Sequence, residues 1–185
     1  MCIRDSDSGW FGRIGFAGTE TGSNDGFWEF YHKPNDGIQY DHNQVISNVL
    51  PAINTWSHVA MIIDSITGTV KLFVNGAEII SSNYDTTLDF SNNNNRWVIG
   101  SLTEDSHNNF PGKIDEVAIW KDALTLEQIS SLASGISSSD ISNSNLLLYY
   151  TFDTTTNRDD SGNNYNFGYN NVGNIEHFTD DTPYN

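Results

Sequence analysis

Short runs of apolar and β-branched residues recur along the chain, and polar turn residues separate them. The clearest runs are Trp56 to Asp64 and Thr69 to Val74, and the residues between them predict a hairpin. Asn75-Gly76 follows at once. Because both residues tolerate positive φ, they predict a tight turn that returns the chain as a strand over Glu78 to Ser81. The centre of the chain therefore predicts three consecutive antiparallel strands.

The other apolar runs are also short and are bounded by Gly, Pro, Asn or Asp. Helical spacing occurs at Leu126, Ile129 and Leu132, where Thr125 can cap a short helix near residues 125–133. Frequent short strands with little helix are typical of a sandwich or a barrel. We predict an all-β fold, an antiparallel two-sheet β-sandwich of the jelly-roll type with one short helix. Its further predicted strands are Trp10–Phe16, Gly26–His32, Gly37–Tyr40, Arg96–Ser101, Lys113–Trp120, Leu146–Phe152, Tyr165–Tyr169 and Ile175–Phe178.

Two stretches together resemble laminin-G-like domains of the concanavalin A-like lectin/glucanase superfamily, in its pentraxin-like variety. They are NTWSHVAMIIDSITGTVKLFVNGAEI at residues 54–79 and GKIDEVAIWKDALTLEQISSL at residues 112–132. The tail, LLLYYTFDTTTNRDDSGNNYNFGYN, resembles the opening of the same kind of domain, although it follows the closing motif. The resemblance implies that the first domain lacks its opening strands and that the tail begins a second tandem copy.

This resemblance divides the chain into four parts. Residues 1–8 are expected to lie outside the fold as a non-native or disordered tail, and residues 9–134 form the sandwich. Residues 135–145 are rich in Ser and Asn and are interpreted as a linker. A segment of roughly 40 residues seldom folds unaided. We therefore expect residues 146–185 to pack on the first domain, where they replace its missing opening strands.

The charge of the chain narrows the classes of partner. Against 24 Asp and Glu stand 8 Lys and Arg, so the formal net charge is −16, which repels nucleic acids and anionic lipids. Cations, neutral glycans and basic protein surfaces remain compatible as partners, and solubility alone, without any charged partner, is the favoured explanation of the acidity. No apolar run has the length of a membrane helix, so we expect no membrane insertion. We expect an extracellular module, secreted or at the cell surface, with its export signal upstream.

Catalytic chemistry is not expected. The resemblance implies that glycan-cleaving relatives carry two glutamates around an aspartate on one strand, and no E-x-D-x-E cluster occurs here. The nearest candidate is Asp115-Glu116, whose side chains would point to opposite faces of a strand and could not form an opposed acid and nucleophile. The five histidines lack metal-site spacing, and His58 is expected to be a hydrogen-bonded sheet residue.

Calcium is the cofactor that the sequence makes plausible, because hard cations take clustered carboxylate, amide and hydroxyl oxygens in loops. The resemblance implies a calcium ion beside the opening strand and the I-D-E-V strand, which would join Asp153 to Asp115. The alternative is an ordinary Asx turn without an ion. The predicted ligands are Asp115, Asp153, Asp159, Asp160, Ser161 and Asn163.

Glycan binding requires exposed aromatic rings on which sugars stack. The predicted stacking residues are Trp10, Trp28, Tyr31 and Tyr40, whereas Trp56, Trp97 and Trp120 fall in apolar runs and are expected in the core. Our leading hypothesis is a monomeric, non-catalytic module of a larger protein that binds a polysaccharide or cell-surface glycan. A protein-adhesion or spacer module is the first alternative, and a fragment of a glycan hydrolase is the second.

Overall fold

The computed structural model describes residues 2–5, 9–16, 28–32, 43–64, 66–83, 95–100, 110, 112–141, 144–154 and 158–168. Within these ranges the chain forms mostly short strands, joined by turns and two short helices. The elements are β1 (Cys2–Asp5), β2 (Gly9–Phe16), β3 (Trp28–His32), β4 (Asn43–Ile46), β5 (Val59–Asp64), β6 (Thr69–Val74), β7 (Ala77–Asn83), β8 (Asn95–Val98), β9 (Val117–Trp120), α1 (Leu126–Ala133), α2 (Ser138–Ile141) and β10 (Leu146–Tyr150).

The described strands form three antiparallel hydrogen-bonded groups. One sheet has the order β4-β3-β2-β1-β8, a second has the order β5-β6-β7, and β9 pairs with β10. Trp28 of β3 lies in one buried cluster with residues of β6 and β7, so the first two sheets pack face to face. The predicted antiparallel sandwich is confirmed. The core cluster consists of Trp28, Val70, Leu72, Val74 and Ile80.

The three-stranded sheet follows the predicted hairpin pattern. Val59 pairs with Val74 and Asp64 pairs with Thr69, which places the first turn directly after Asp64. The Asp64 carboxylate accepts hydrogen bonds from the backbone N–H groups of Ile66 at 2.9 Å and Thr67 at 3.2 Å. An aspartate that closes its own turn in this way stabilises the hairpin locally, before any long-range contact forms.

The second hairpin turn packs against helix α1. Asn75 and Gly76 have φ values of 50° and 79°, as the Asn-Gly signal predicts. A Cβ atom placed on Gly76 would lie 3.4 Å from the Cβ of Ala133 in α1. Glycine therefore meets two demands at this position, a left-handed backbone and the close approach of a helix.

Helix α1 begins where the sequence places it. The Thr125 hydroxyl accepts a hydrogen bond from the Gln128 N–H at 3.3 Å, and the Gln128 side chain accepts one from the Thr125 N–H at 2.8 Å. This reciprocal capping box satisfies two of the otherwise unpaired donors of the first turn. Ile129 and Leu132 are buried, as their spacing predicts, whereas Leu126 is exposed.

Several details differ from the sequence prediction. Residues 1–8 were expected outside the fold, but Cys2–Asp5 forms β1 and pairs with both β2 and β8, so that expectation is wrong for these residues. The pattern missed β1 because its residues, CIRD, lack apolar alternation. It also missed β4 and the short α2, which lies inside the expected linker. Residues 165–168 are not a strand, and the predicted strands Gly37–Tyr40 and Ile175–Phe178 lie outside the described residues.

The tail packs on the closing strand of the first part. Tyr150 of β10 pairs with Val117 of β9, and Leu146 pairs with Trp120. One more backbone hydrogen bond lies just beyond the Trp120–Leu146 pair, where the Lys121 N–H donates to the Asn145 carbonyl at 2.9 Å. The tail residues 158–168 then fold back along β10, and their contacts form the candidate site.

Candidate functional site

Five polar residues lie at or beside the start of β9 and the end of β10; we call them the β9–β10 junction: Asp115, Glu116, Tyr149, Asp153 and Asp160. Glu116 directly precedes β9 and has a φ of 53°, a left-handed conformation that is rare outside glycine. The Tyr149 hydroxyl of β10 donates a hydrogen bond to its carboxylate. The Ser137 hydroxyl lies 3.3 Å from the same tyrosine oxygen. Tyr149 therefore links Ser137, which precedes α2, to Glu116, which precedes β9.

The electrostatics of the junction centre on Glu116. Burial raises the pKa of its carboxyl group above the ordinary value, and the hydrogen bond from Tyr149 partly offsets this effect. The negative charges of Asp115, Asp153 and Asp160 raise the pKa of Glu116 further. These three aspartates lie in three separate stretches of sequence, so the fold brings them within electrostatic range of one carboxyl group.

The sequence argument that separated Asp115 from Glu116 does not apply to the structure. That argument placed both residues in a regular strand, where neighbouring side chains alternate between faces. In the structure β9 starts at Val117, so both residues precede the strand. The Glu116 N–H donates to the Asp115 carboxylate at 3.0 Å, which holds this aspartate against the turn.

Asp159 is a buried structural carboxylate, with only 2% of its surface exposed. One oxygen accepts hydrogen bonds from the N–H groups of Tyr149 and Ser161, both at 3.0 Å, and the other accepts one from the Tyr165 N–H at 2.9 Å. Burial alone would raise the pKa of Asp159. The hydrogen bonds from Ser161, Tyr149 and Tyr165 outweigh burial and lower the pKa.

Ser161 and Asn163 bind backbone carbonyls of β10. The Ser161 hydroxyl donates to the Leu147 carbonyl at 3.1 Å. The Asn163 side-chain amide donates to the carbonyls of Leu146 at 2.9 Å and Leu147 at 3.0 Å. Both side chains therefore attach the turn of residues 159–163 to the strand.

The six predicted calcium ligands thus separate into two sets. Asp159, Ser161 and Asn163 hydrogen-bond to β10 or within their own turn, whereas Asp115, Asp153 and Asp160 act electrostatically on the Glu116 carboxyl group. Asp160 also accepts a hydrogen bond from the Thr151 hydroxyl at 3.1 Å and lies 3.6 Å from the Arg158 guanidinium. Among the described residues, no three His, Cys, Asp or Glu side chains are grouped so as to hold a metal ion.

The predicted stacking residues occupy different environments. Trp28 is 6% exposed and belongs to the core cluster, which leaves too little of the indole exposed for a sugar to stack on it. Trp10 lies on β2, opposite Arg4 of β1, and Tyr31 lies on β3, opposite Arg13. Tyr40 lies outside the described residues.

The structure also places Trp56 differently from the sequence prediction. It was expected in the core, but it precedes β5 and is 37% exposed. Leu50 and Ile53, at 59% and 86% exposed, lie in the same β4–β5 loop, which comprises residues 47–58. This apolar run begins as a loop and becomes a strand only at Val59. The sequence signals were the turn residue Asn54, which has a φ of 58°, and the polar pair Ser57-His58.

His58 is a sheet-edge residue whose backbone, rather than its ring, makes the paired contact. Its N–H donates to the Asn75 side chain at 2.9 Å, and its carbonyl accepts from the Asn75 N–H at 2.8 Å. The ring Nδ1 is buried without a hydrogen-bond partner in the part of the chain that the structure describes. Burial lowers the pKa of His58, which favours the neutral ring.

The fold and the junction define a jelly-roll β-sandwich whose closing strand pairs with a strand near the C-terminal end of the chain. A laminin-G family, Laminin_G_3, described as the concanavalin A-like lectin/glucanases superfamily, matches residues 3–130. The chain belongs to this superfamily. A search among curated proteins finds no match.

Two solved structures resemble this chain. A protein from Bacteroides ovatus ATCC 8483, for which carbohydrate binding has been inferred, has 20% identity and a TM-score of 0.64, with 88% of this chain and 46% of that chain covered. The chain therefore spans less than half the length of that protein. An S-layer domain-containing protein (residues 221–444) from Clostridium thermocellum ATCC 27405 has 22% identity and a TM-score of 0.40, with 71% and 66% covered. Among the helices described, none is long and apolar enough to cross a membrane.

Proposed function

We propose that this chain is a non-catalytic carbohydrate-binding module of a larger secreted or cell-surface protein. The observation that carries the proposal is its membership of the lectin/glucanases superfamily. The fold similarity to the Bacteroides ovatus protein, for which carbohydrate binding has been inferred, supports the same class of ligand. The net charge of −16 favours neutral over anionic glycans, because acidic sugars would be repelled.

The ligand surface that we propose combines three sequence candidates with one residue that the structure adds. Trp10 and Tyr31 lie on neighbouring strands β2 and β3, and Tyr40 is retained from the sequence prediction. Trp56 adds an indole that is 37% exposed on the β4–β5 loop. An exposed indole offers a flat apolar face on which a sugar ring can stack.

Polysaccharide affinity electrophoresis, followed by calorimetry on the retarding glycan, tests this function. We expect Trp56→Ala to weaken binding at least tenfold with an unchanged melting temperature, because an exposed side chain contributes little to packing. Ile66→Ala is the matched control. Ile66 is 94% exposed at the opposite end of β5 and should leave affinity unchanged. Failure of wild-type protein to bind any neutral or acidic polysaccharide in a broad panel would contradict the proposal.

A protein-adhesion module is the second candidate, and the aliphatic part of the β4–β5 loop favours it. Leu50 and Ile53 are more exposed than Trp56, and aliphatic side chains suit protein surfaces better than sugar rings. Binding that is lost in Leu50→Ser and Ile53→Ser but retained in Trp56→Ala would favour this candidate.

Calcium binding is a further proposal, with Asp115, Asp153 and Asp160 as the ligands. Hard carboxylate oxygens suit calcium, and these three aspartates all act electrostatically on the half-buried carboxyl group of Glu116. The described side chains are not grouped as a metal site, so binding would require them to move together. We therefore expect weak binding. An unchanged melting temperature on adding millimolar calcium to chelator-treated protein would exclude the site.

A further inference from the structure

The outer edge of β10 is the side of this strand that faces away from β9. Among the strands that the structure describes, only β9 pairs with β10. Alternate residues of a strand present their backbone groups to alternate edges. Tyr149 and Leu147 should therefore offer backbone groups at the outer edge, where no neighbouring strand uses them.

The turn of residues 159–163 occupies this edge with hydrogen bonds of the kind that a neighbouring strand would make. The Tyr149 N–H donates to the Asp159 carboxylate at 3.0 Å, and the Tyr149 carbonyl accepts from the Asp160 N–H at 2.8 Å. The Leu147 carbonyl accepts from the Ser161 hydroxyl at 3.1 Å and from the Asn163 amide at 3.0 Å. Every one of these contacts joins the turn to the strand backbone.

The geometry of these contacts matters because an open strand edge is a template for another strand. Unpaired N–H and C=O groups in a row pair readily with a second chain, and proteins cover such edges with loops, bulges or charges. The turn of residues 159–163 covers this edge with its side chains, and it carries two carboxylates. A strand from a second molecule would have to displace the turn and take the Tyr149 N–H away from the buried Asp159 carboxylate.

We propose that the turn of residues 159–163 is an edge cap, which keeps β10 from adding a strand of a second copy of this chain. The residues that follow the cap in the sequence are also attached to β10 and to the residues just after it. The Phe167 ring packs on Tyr150 and Phe152, with ring centroids 4.8 Å and 5.5 Å apart. If only the polar contacts between the turn and the β10 edge are removed, the cap should therefore open. Residues 164–168 should stay attached through the Phe167 ring.

The test uses the full chain with the double substitution Ser161→Ala and Asn163→Ala. These changes remove the side-chain bonds to the Leu146 and Leu147 carbonyls and leave the core cluster intact. Asn164→Gly is the matched control. It lies in the same segment, makes none of these bonds, and has a φ of 63° that glycine adopts without strain.

Size-exclusion chromatography with light scattering, from micromolar to millimolar protein, is combined with hydrogen exchange at the Tyr149 amide. We expect wild type and Asn164→Gly to stay monomeric with slow exchange at Tyr149. The double variant should exchange at least tenfold faster when dilute, and it should form dimers when concentrated in which the Tyr149 amide is protected again. Reappearance of protection only in the dimer would show that a second strand has taken the place of the cap.

Two results would overturn the proposal. One is a double variant whose Tyr149 amide exchanges fast while the protein stays monomeric at every concentration. The other is a double variant that exchanges as slowly as wild type, since the side-chain bonds would then not hold the cap. Asp159→Ala is a second variant that should open the same edge of β10, because it removes the acceptor of the Tyr149 N–H. If it remains folded by circular dichroism, it must dimerise as the double variant does.

Discussion

Asp159 and Asp160 are adjacent and chemically identical, yet the fold gives them different environments. Asp159 is buried and accepts three backbone hydrogen bonds, whereas Asp160 is exposed and interacts with Thr151 and Arg158. The sequence marks both as turn residues and as candidate calcium ligands. It cannot separate them, because the difference depends on where β10 lies relative to the turn. This is why the turn could be predicted and the roles of its two carboxylates could not.

We predict that Asp159→Ala lowers the free energy of unfolding by about 1 to 3 kcal/mol, because it leaves buried N–H donors without an acceptor. The pKa of Asp159 is lowered in the folded state, so its stabilising contribution is present above the unfolded pKa of about 3.9 and is lost as pH falls through the folded value. Urea unfolding of wild type and variant from pH 7 to pH 2 should therefore converge at the acid end. Asp140→Ala, at an exposed position of α2, is the control and should change stability by less than about 0.5 kcal/mol.

Glu116 gives the opposite sign. Its folded-state pKa is raised, so the ionised carboxylate destabilises the fold at neutral pH. This penalty decreases as pH falls through the folded pKa and is gone below the unfolded pKa. We predict that Glu116→Gln raises the melting temperature at pH 7 in the presence of a chelator, and that the gain vanishes in acid. Glu78→Gln is the control, because it removes an exposed ion pair with Lys71 and should lower stability slightly or not at all. A lower melting temperature for Glu116→Gln at pH 7 would contradict the electrostatic reading.

At the scale of elements, the sequence predicted the strands, the turn and the helix cap that depend on interactions between residues close together in the chain. Strands β6 and β7, their Asn-Gly turn and the Thr125 cap are all specified within a few residues, and each appears in the structure. Strands β1 and β4 were missed because neither shows apolar alternation, and neighbouring strands supply their pairing. Trp56 was misplaced for the related reason that its apolar run continues from a loop into β5.

The pairing of β10 with β9 gives a prediction for the tail. Without β10, the backbone groups of β9 that pair with β10 have no partner strand among those described. The Glu116 carboxylate also loses its hydrogen bond from the Tyr149 hydroxyl. We predict that deletion of residues 146–185 produces a protein that aggregates, because an open edge and a newly exposed apolar surface both promote association. Static light scattering during refolding measures this outcome. A well-folded monomer after the deletion would show that the tail does not complete the sandwich.

At the scale of the whole molecule, the sequence predicted the fold class and the family more completely than the site. The residues that carried the resemblance, at 54–79 and 112–132, form β5 to β7 and β9 with α1, which are the best-patterned parts of the chain. The β9–β10 junction depends on the pairing of β9 with β10, and no local pattern encodes that pairing. Calcium binding, the second tandem copy and the pentraxin-like variety stay predictions.

The topology of the two facing sheets also has a consequence for how fast the chain folds. Strands β5, β6 and β7 are joined by turns of a few residues, whereas β8 pairs with β1 from about ninety positions further along the chain. Loop-closure entropy makes the second pairing slow, so the hairpins should form first and act as the nucleus. Gly76→Ala, strained by the left-handed backbone at a cost of about 1 kcal/mol, should therefore slow refolding more than it speeds unfolding in stopped-flow experiments. Trp97→Ala in β8, at a residue that the sequence predicts in the core, should do the reverse. Its unfolding should be faster and its refolding nearly unchanged, as expected for a strand that joins late.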